Sequence, residues 1–241
     1  MKFKAIILAA GLGTRMKEYT RDTPKPMLKI GGRPLVEHLV RLLVREGITD
    51  IAMNVHYHAD QIIDHFQAAN SLGANIQFLA EKKPSGTAGG VKKLHDFYKD
   101  VDAFLVIYGD LLIDMPLGQL LKNHMSRRSL ATICVHQRAK SNSIVRFQPD
   151  GLVVSFLERP LAHEAESNTQ LSWVNSGIYC FDPSIYTYIN DGEIVDFPKD
   201  VFPKLIADKE LFAVPYAGNR YAIDSEERYL EAQRRFHEFN L

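Results

Sequence analysis

Cysteine is scarce in this sequence of 241 residues, where Cys134 and Cys180 are the only two. They lie far apart, which excludes a disulfide scaffold and a zinc site built on cysteines. A surplus of charge is also missing, because 29 Lys and Arg balance 29 Asp and Glu, so a surface built for nucleic-acid phosphates is not indicated. No apolar run is long enough to cross a membrane, and the first residues lack the layout of a signal peptide. We therefore expect a cytoplasmic protein without nucleic-acid or membrane partners.

Short apolar segments alternate with amphipathic ones along the first half of the chain. The predicted strands there are residues 3–10, 51–55, 76–79 and 103–108, and the predicted helices are 35–45, 60–69 and 87–97. Strands that are apolar on both faces and alternate with helices indicate a mostly parallel sheet flanked by helices. The second half adds predicted strands at 130–136, 144–147, 152–157 and 173–181, then helical segments at 183–189, 198–208 and 225–239. We expect one α/β domain over residues 1–241, with a small β-rich insertion on a continuous sheet.

The loop after the first predicted strand is rich in glycine, and in such sheets ligands bind beyond the carboxyl ends of the strands. Gly11 and Gly13 resemble the start of a dinucleotide fingerprint, but Met16 stands where its third glycine belongs. Backbone N–H groups at two glycines can approach phosphates closely, and Arg15 can clamp phosphate oxygens. A tight turn with a surface arginine is the alternative. Further on, prolines on both sides of Lys25 restrict where its ammonium group can point.

The segments I-I-L-A-A-G-L-G-T-R-M and T-P-K-P-M-L resemble the signature of sugar-1-phosphate nucleotidyltransferases. Further matches follow in the family's order. Residues 81–90 (E-K-K-P-S-G-T-A-G-G) are similar to its base-binding segment and Gly109-Asp110 to its metal-binding aspartate. Residues 157–160 (L-E-R-P) are similar to its E-K-P motif, 174–179 (V-N-S-G-I-Y) to its sugar-pocket strand, and 221–224 (Y-A-I-D) to the segment with its second metal aspartate.

The resemblance implies a Rossmann-like nucleotidyltransferase fold of the GT-A type, in which residues 1–130 mainly bind nucleotide and 131–241 mainly bind sugar phosphate. It implies the following site residues. The catalytic set is Arg15, Lys25 and Asp110, and Asp110 and Asp224 would hold Mg²⁺. The nucleotide-binding set is Leu8, Ala9, Ala10, Gly11, Gly13, Thr14, Glu81, Pro84, Gly86 and Thr87. The sugar-phosphate-binding set is Gly109, Glu158, Arg159, Asn175 and Gly177.

The reaction implied is attack of a sugar 1-phosphate on a nucleoside triphosphate (NTP), which yields an NDP-sugar for polysaccharide or glycosylated-metabolite synthesis and releases pyrophosphate. We favour GTP, because a carboxylate at Glu81 can accept from guanine N1–H and N2–H₂ together. The context of Glu81 is similar to mannose and heptose guanylyltransferases. UTP is one alternative, since Ala9-Ala10-Gly11 looks more like uridylyltransferases. CTP is another, because the exocyclic amine of cytosine could also donate to Glu81. A non-catalytic regulatory homologue and a related glycosyltransferase are the alternatives of other classes.

Several positions depart from the family pattern or have a purely structural explanation. Arg159 replaces the usual lysine of E-K-P, and a planar guanidinium is not interchangeable with an ammonium group. The usual G-T-P is absent after Asp224, where Asp224 and Glu227 could instead form a capping box. Asp110 could merely cap a turn. The sequence printed ends at Leu241 without a hexapeptide-repeat extension, so we expect a transferase alone. Relatives are often dimers or tetramers, so a homo-oligomer is also an expectation.

Overall fold

The structure is a computed structural model of the chain. It describes residues 1–16, 18–139, 143–159, 171–216 and 218–241. Pro160, the last residue of the predicted L-E-R-P motif, lies outside these ranges. Within them, no helix is both long and apolar enough to cross a membrane.

The chain alternates strands and helices much as the apolar pattern predicts. The strands are β1 (Phe3–Ala9), β2 (Lys29–Ile30), β3 (Arg33–Pro34), β4 (Asp50–Val55), β5 (Asn75–Ala80), β6 (Ala103–Tyr108), β7 (Leu111–Ile113), β8 (Ala131–Arg138), β9 (Ser143–Phe147), β10 (Val153–Glu158), β11 (Ser172–Phe181), β12 (Leu211–Pro215) and β13 (Arg220–Ala222). The α-helices are α1 (Leu35–Arg45), α2 (Ala59–Ala68), α3 (Gly86–Lys93), α4 (His95–Tyr98), α5 (Leu117–Arg127), α6 (Phe202–Ala207) and α7 (Glu226–Arg234).

The main sheet has seven strands in the order β12-β8-β11-β6-β1-β4-β5. β1 pairs with β4 in parallel, with Ala5 opposite Ile51, and β4 pairs with β5 in parallel. β12 is parallel to β8, whereas β11 is antiparallel to β8. The predicted α/β fold with a mostly parallel central sheet is confirmed. The β-rich segment of the second half includes the antiparallel pair β9 and β10.

Contacts between Cα atoms divide the backbone into two compact units that interleave along the chain. We call Phe3–Pro84, Val106–Leu117 and Ala217–Leu241 the N-terminal unit. The middle unit is Met1–Lys2, Ser85–Leu105 and Gly118–Tyr216. This division does not follow the predicted change of role at residue 130, and the single-domain organisation stays a prediction.

The helix α1 shows why the periodic segments were predictable. It spans Leu35–Arg45, as predicted, and buries Leu35, Leu39 and Leu42 on one face. Gly47 follows it with a φ of +79°, a conformation that favours glycine at the end of a helix. The apolar period and the terminal glycine therefore determine this element locally.

Three predicted helices are shorter or more irregular than their sequence pattern suggests. The segment 87–97 forms α3 and α4, which are separated at Leu94. The segment 198–208 begins with a π-helix at Phe197–Val201 before α6, whose first turn contains a proline that cannot donate a backbone hydrogen bond. The segment 225–239 ends its α-helix at Arg234 and continues as a 3-10 turn at Phe236–Glu238.

Candidate active site

The loop after β1 folds around Gly13, which has a φ of +64°. The Gly13 carbonyl oxygen accepts hydrogen bonds from the Met16 backbone N–H at 3.0 Å and from the Thr20 hydroxyl at 3.0 Å. A β-carbon at position 13 would lie 3.2 Å from the Thr20 methyl carbon. Position 11 differs, because among the residues that the structure describes no atom beyond the neighbouring residues lies within 4 Å of where its β-carbon would be. Gly13 thus closes the loop, while the space beside Gly11 stays open to a ligand.

The remaining predicted nucleotide-binding residues of this loop lie on either side of its glycines. Leu8 and Ala9 end β1, and Ala9 and Ala10 are buried. Thr14 and Arg15 belong to a 3-10 turn at Thr14–Met16 and are exposed. The loop therefore runs from a buried strand end to an exposed guanidinium group.

Lys25 and Asp110 are in direct contact. Their Nζ and Oδ2 atoms are 2.6 Å apart, and their side chains are 11% and 28% exposed. Pro24 precedes the 3-10 turn Lys25–Met27, so the backbone that carries the lysine is held by proline as predicted. The β-carbon of Lys25 lies 3.4 Å from the β-carbon position of Gly13. The structure thus brings the glycine loop, the lysine and the predicted metal-binding aspartate together.

Gly109 allows this approach because it packs directly on the end of β1. Its N–H donates to the Leu8 carbonyl oxygen at 2.8 Å, and a β-carbon at this position would lie 2.8 Å from the same oxygen. Any larger residue would push Asp110 away from Ala9. The structure explains Gly109 by packing, and its predicted contact with sugar phosphate stays a prediction.

Asp110 and Asp224 lie just beyond the same end of the antiparallel pair of β7 and β13, in which Leu111 is opposite Ala222. The Ile223 N–H donates to the Asp110 carbonyl oxygen at 2.8 Å. The Asp224 carboxylate has Arg15 Nη1 at 3.9 Å and Arg228 Nη1 at 3.5 Å. The capping-box alternative for Asp224 is wrong, because Ser225 is the N-cap of α7 and accepts from the Arg228 N–H. Asp224 is therefore left to interact with two guanidinium groups.

Glu81 lies at the end of β5 and is 7% exposed. Its Oε1 accepts a hydrogen bond from Asn54 Nδ2 at 2.8 Å, and Asn54 Oδ1 accepts one from the Ala9 N–H at 3.0 Å. His56 Nδ1 contacts the Glu81 carbonyl oxygen at 2.7 Å. The predicted base-binding carboxylate is thus joined to the start of the glycine loop through Asn54, a residue that the sequence analysis did not single out.

In the middle unit, the turn at Gly86 and Thr87 is bound to residues 195–197. Gly86 has a φ of +81°, and a β-carbon there would lie 2.4 Å from the Val195 carbonyl oxygen. The Thr87 N–H and hydroxyl both donate to Asp196 Oδ1, at 2.9 and 3.1 Å. Asp196 therefore satisfies donors at the start of α3 that we had assigned to nucleotide binding. Pro84, which belongs to the N-terminal unit, is partly buried.

Glu158 ends β10 and is partly buried, whereas Arg159 is exposed and has a φ of +53°. Burial raises the pKa of the Glu158 carboxyl group above its ordinary value, and the charge of Asp196 adds to this effect. The positive charges of Arg159 and Lys199 act in the opposite direction. Glu158 thus lies among charged groups of both signs, of which Asp196 and Lys199 were not predicted.

Asn175 and Gly177 form an irregularity of β11 rather than two regular strand positions. The pairing of β11 with β8 shifts register between Asn175 and Tyr179, and Gly177 has a φ of +72°. Asn175 Oδ1 accepts from the Gly177 N–H at 3.0 Å, and its Nδ2 donates to the Tyr179 hydroxyl at 2.7 Å. The Asn175 N–H donates to Ser143 Oγ at 3.0 Å. The amide of Asn175 therefore organises a bulge in β11, which explains Asn175 and Gly177 by local structure.

Asp110 and Asp224 are the pair that could hold a metal ion. Within the described part of the chain, no group of three or more His, Cys, Asp and Glu side chains is arranged as a metal site. Two carboxylates suit Mg²⁺ nevertheless, because this ion commonly binds one or two protein carboxylates and completes its shell with water and substrate phosphates. The residues present therefore fit the ion that the sequence predicts.

Comparisons with known proteins identify the family of the chain. A family model described as "Nucleotidyl transferase" matches residues 4–220. The UTP–glucose-1-phosphate uridylyltransferase of Synechocystis sp. is 36% identical over 84% of this chain and 55% of its own length. The mannose-1-phosphate guanyltransferase of Yarrowia lipolytica is 32% identical over 89% of this chain and 59% of its own length. The chain thus spans little more than half the length of these relatives.

Among solved structures, HddC from Yersinia pseudotuberculosis in complex with GMP-PN covers nearly the same length. It is 26% identical, with a TM-score of 0.80, and the match covers 98% of this chain and 100% of that one.

Proposed function

Because this chain belongs to the nucleotidyl transferase family, we propose that it joins a nucleoside triphosphate to a sugar 1-phosphate and releases pyrophosphate. The observation that carries this proposal is the contact between Lys25 and Asp110 at 2.6 Å beside the glycine loop. A cation, a carboxylate and open backbone at the end of a buried strand form a site for phosphates at the carboxyl edge of a parallel sheet.

In the proposed step, a phosphate oxygen of the sugar 1-phosphate forms a bond to the α-phosphorus of the triphosphate. The bond from that phosphorus to the oxygen bridging to the β-phosphorus breaks, and pyrophosphate leaves with the electron pair. The nucleophile is already an anion, so no side chain has to remove a proton. The protein has to hold two anions in line and neutralise their charge.

Lys25 and Arg15 supply the positive charge for this task. The Lys25 ammonium group, now neutralised by Asp110, would move its hydrogen bonds to the α-phosphate and the incoming phosphate. Arg15 is 67% exposed and only 3.9 Å from Asp224, so its guanidinium group can turn towards the departing pyrophosphate at small cost. Gly11 would let the backbone approach the triphosphate.

Asp110 and Asp224 would hold Mg²⁺, which supplies neutralisation of phosphate charge when it is bound. Arg15 and Arg228 hold the Asp224 carboxylate between them. Pyrophosphate release should therefore depend on Mg²⁺.

The sugar phosphate is proposed to bind in the middle unit near Glu158. This carboxyl group has a raised pKa because it is buried, and it can accept hydrogen bonds from sugar hydroxyls when ionised. The exposed guanidinium of Arg159 can bind a phosphate with two parallel hydrogen bonds. We propose a mannose- or heptose-type sugar as the acceptor, because the residues around Glu81 are similar to those of mannose and heptose guanylyltransferases.

For the nucleobase, we propose GTP. The buried carboxylate of Glu81 supports this choice, and the HddC structure holds GMP-PN, a guanine-type ligand by its name. UTP is the second candidate, because the uridylyltransferase of Synechocystis sp. is 36% identical to this chain. We further propose that the protein is cytoplasmic and that its product is used in polysaccharide synthesis. We also propose that it forms a homo-oligomer, which light scattering would detect.

The experiment is pyrophosphate release with and without Mg²⁺, measured for GTP, UTP, CTP, ATP and dTTP against mannose, glucose, N-acetylhexosamine and heptose 1-phosphates. We expect release only when one triphosphate and one sugar phosphate are present together. Asp110→Asn and Arg15→Ala should each lower kcat by about 100-fold or more, because the first removes a carboxylate that would hold Mg²⁺ and the second removes a positive charge that would stabilise the departing pyrophosphate.

Matched controls are available in the same chain. Asp96→Asn alters a Lys–Asp pair of 2.7 Å outside the candidate site, and Arg33→Ala removes an arginine that is 51% exposed and 3.7 Å from its carboxylate. Both controls should keep kcat within about two-fold, since exposed pairs contribute little. Near-native kcat in Asp110→Asn or Arg15→Ala would contradict the mechanism. Nucleotide binding without turnover on any combination would favour a regulatory homologue.

A further inference from the structure

Asn54 is a polar residue in the otherwise apolar second half of β4, and it is 3% exposed. It pairs with Leu8 in the parallel register of β1 and β4, which places its side chain between the ends of β1 and β5. Its amide bridges the Ala9 N–H at 3.0 Å and Glu81 Oε1 at 2.8 Å. All four residues belong to the N-terminal unit.

The direction of the Asn54 amide is fixed by chemistry. A backbone N–H can only donate, so the atom that faces Ala9 must be the amide oxygen. The NH₂ group therefore faces residue 81, whose Oε1 atom has to accept. A reversed amide would place NH₂ against N–H and oxygen against a carboxylate, and buried groups do not tolerate such mismatches.

This fixed direction gives residue 81 a fixed polarity. With glutamate, the carboxylate oxygen that Asn54 does not hold is again an acceptor. With glutamine, the oxygen would have to face Asn54, and the second group would be an NH₂ donor. Replacing Glu81 by glutamine would therefore turn the second group of residue 81 from an acceptor into a donor. Asn54 prevents the glutamine amide from rotating to restore the acceptor.

We propose that Asn54 is a positioning residue that sets which nucleobase the site accepts, by holding Glu81 so that it presents an acceptor. The base selected is then one with adjacent N–H donors, as in guanine N1–H and N2–H₂, rather than one with a single donor between two carbonyl oxygens, as in uracil. This inference rests on the proposed function, in which Glu81 contacts the base.

The experiment compares binding of GTP and UTP by calorimetry, together with their kcat/KM values, in the native protein and in variants. Glu81→Gln should lower the GTP:UTP ratio by about 10- to 100-fold, because two donors then face each other. In the double variant Asn54→Ala with Glu81→Gln, the glutamine amide is free to turn, and the ratio should recover at least about five-fold relative to Glu81→Gln alone.

The matched control is Asn75→Ala. Asn75 donates to Asp50 Oδ1 at 3.0 Å at the opposite, amino-terminal ends of the same two strands. The Asn75→Ala variant should leave the GTP:UTP ratio unchanged. Asn54→Ala alone should change the ratio less than Glu81→Gln, since the carboxylate keeps its acceptors. A merely structural role of Asn54 would lower GTP and UTP values equally in every background.

Equal ratios in Glu81→Gln and in the double variant would overturn the inference. If Asn54→Ala does not fold, the Glu81→Gln variant alone still tests the inference. A GTP:UTP ratio in Glu81→Gln equal to that of the native protein would overturn it. Nucleotide binding without pyrophosphate release would refute the proposed reaction, while the binding ratios would still decide the role of Asn54. A native protein that binds neither GTP nor UTP would refute both.

Discussion

Gly86→Ala tests how closely the turn before α3 packs on its neighbouring segment. The new β-carbon would lie 2.4 Å from the Val195 carbonyl oxygen, 2.8 Å from its carbonyl carbon and 2.9 Å from its nitrogen. These are backbone atoms, so no flexible side chain can move aside. In addition, a residue with a β-carbon at a φ of +81° is strained.

The expected loss of stability has two parts. Alanine in the left-handed conformation costs about 1–2 kcal/mol. Displacement of Val195 also breaks the hydrogen bonds that its oxygen accepts from the Ala88 and Gly89 N–H groups, at 2.9 and 3.0 Å. Each of these contributes about 0.5–1.5 kcal/mol. Gly86→Ala should therefore destabilise the protein by about 2–5 kcal/mol.

Gly47→Ala is the matched control. Gly47 has a φ of +79°, and in the described part of the chain no atom beyond its two neighbouring residues lies within 4 Å of its β-carbon position. It should cost only the conformational part, about 1–2 kcal/mol. Thermal unfolding followed by circular dichroism should place the Tm of Gly86→Ala about 2–12 °C below that of Gly47→Ala. Equal Tm values for the two variants would refute the close packing of Gly86 on Val195.

Two further predictions concern buried side chains. Burial lowers the pKa of His124 to about 4, so the neutral ring is favoured in the folded state. The free energy of unfolding should then fall by up to about 3 kcal/mol between pH 6.5 and pH 4 on account of this residue. Urea titrations at pH 7, 5.5 and 4.5 should show a shallower pH dependence in His124→Gln than in the native protein, and identical dependence would contradict the assignment. Cys134 and Cys180 are fully buried, and burial raises the pKa of the Cys180 thiol. Neither thiol should react with Ellman's reagent until urea unfolds the chain, and fast labelling of the native protein would argue against the packing of β8 and β11.

Elements with a strong local pattern could be predicted from the sequence, whereas those defined by their partners could not. The helix α1 and the strand β6 have the predicted bounds, since a periodic or continuous apolar run determines each of them. β7 and β13 have three residues each and exist because they pair with one another across more than a hundred residues of chain. Such short strands carry no periodicity of their own, so neither could be predicted from the sequence.

The candidate site shows the same division. Its glycine loop, Lys25 and Asp110 were predicted because they belong to contiguous motifs, and the structure brings them together. Asn54 was missed because a single polar residue in a strand acquires its role only when Ala9 and Glu81 lie on either side. Asp196 was missed for a similar reason, since its partner Thr87 is 109 positions away in the chain.

The pairing of β7 with β13 also has a consequence for the order of events during synthesis. Tyr229, Ala232 and Phe239 cover an apolar cluster whose other members include Ile30 and Leu35. These covering residues leave the ribosome after all of residues 1–216. Protein synthesis adds about 5–20 residues per second, so the apolar surface of the nascent chain stays uncovered for about ten seconds or more. Asp110 likewise gains Asp224 as a neighbour only after more than a hundred further residues have been synthesised. A nascent-chain chaperone bound to this apolar surface should therefore leave the chain before β13 pairs with β7.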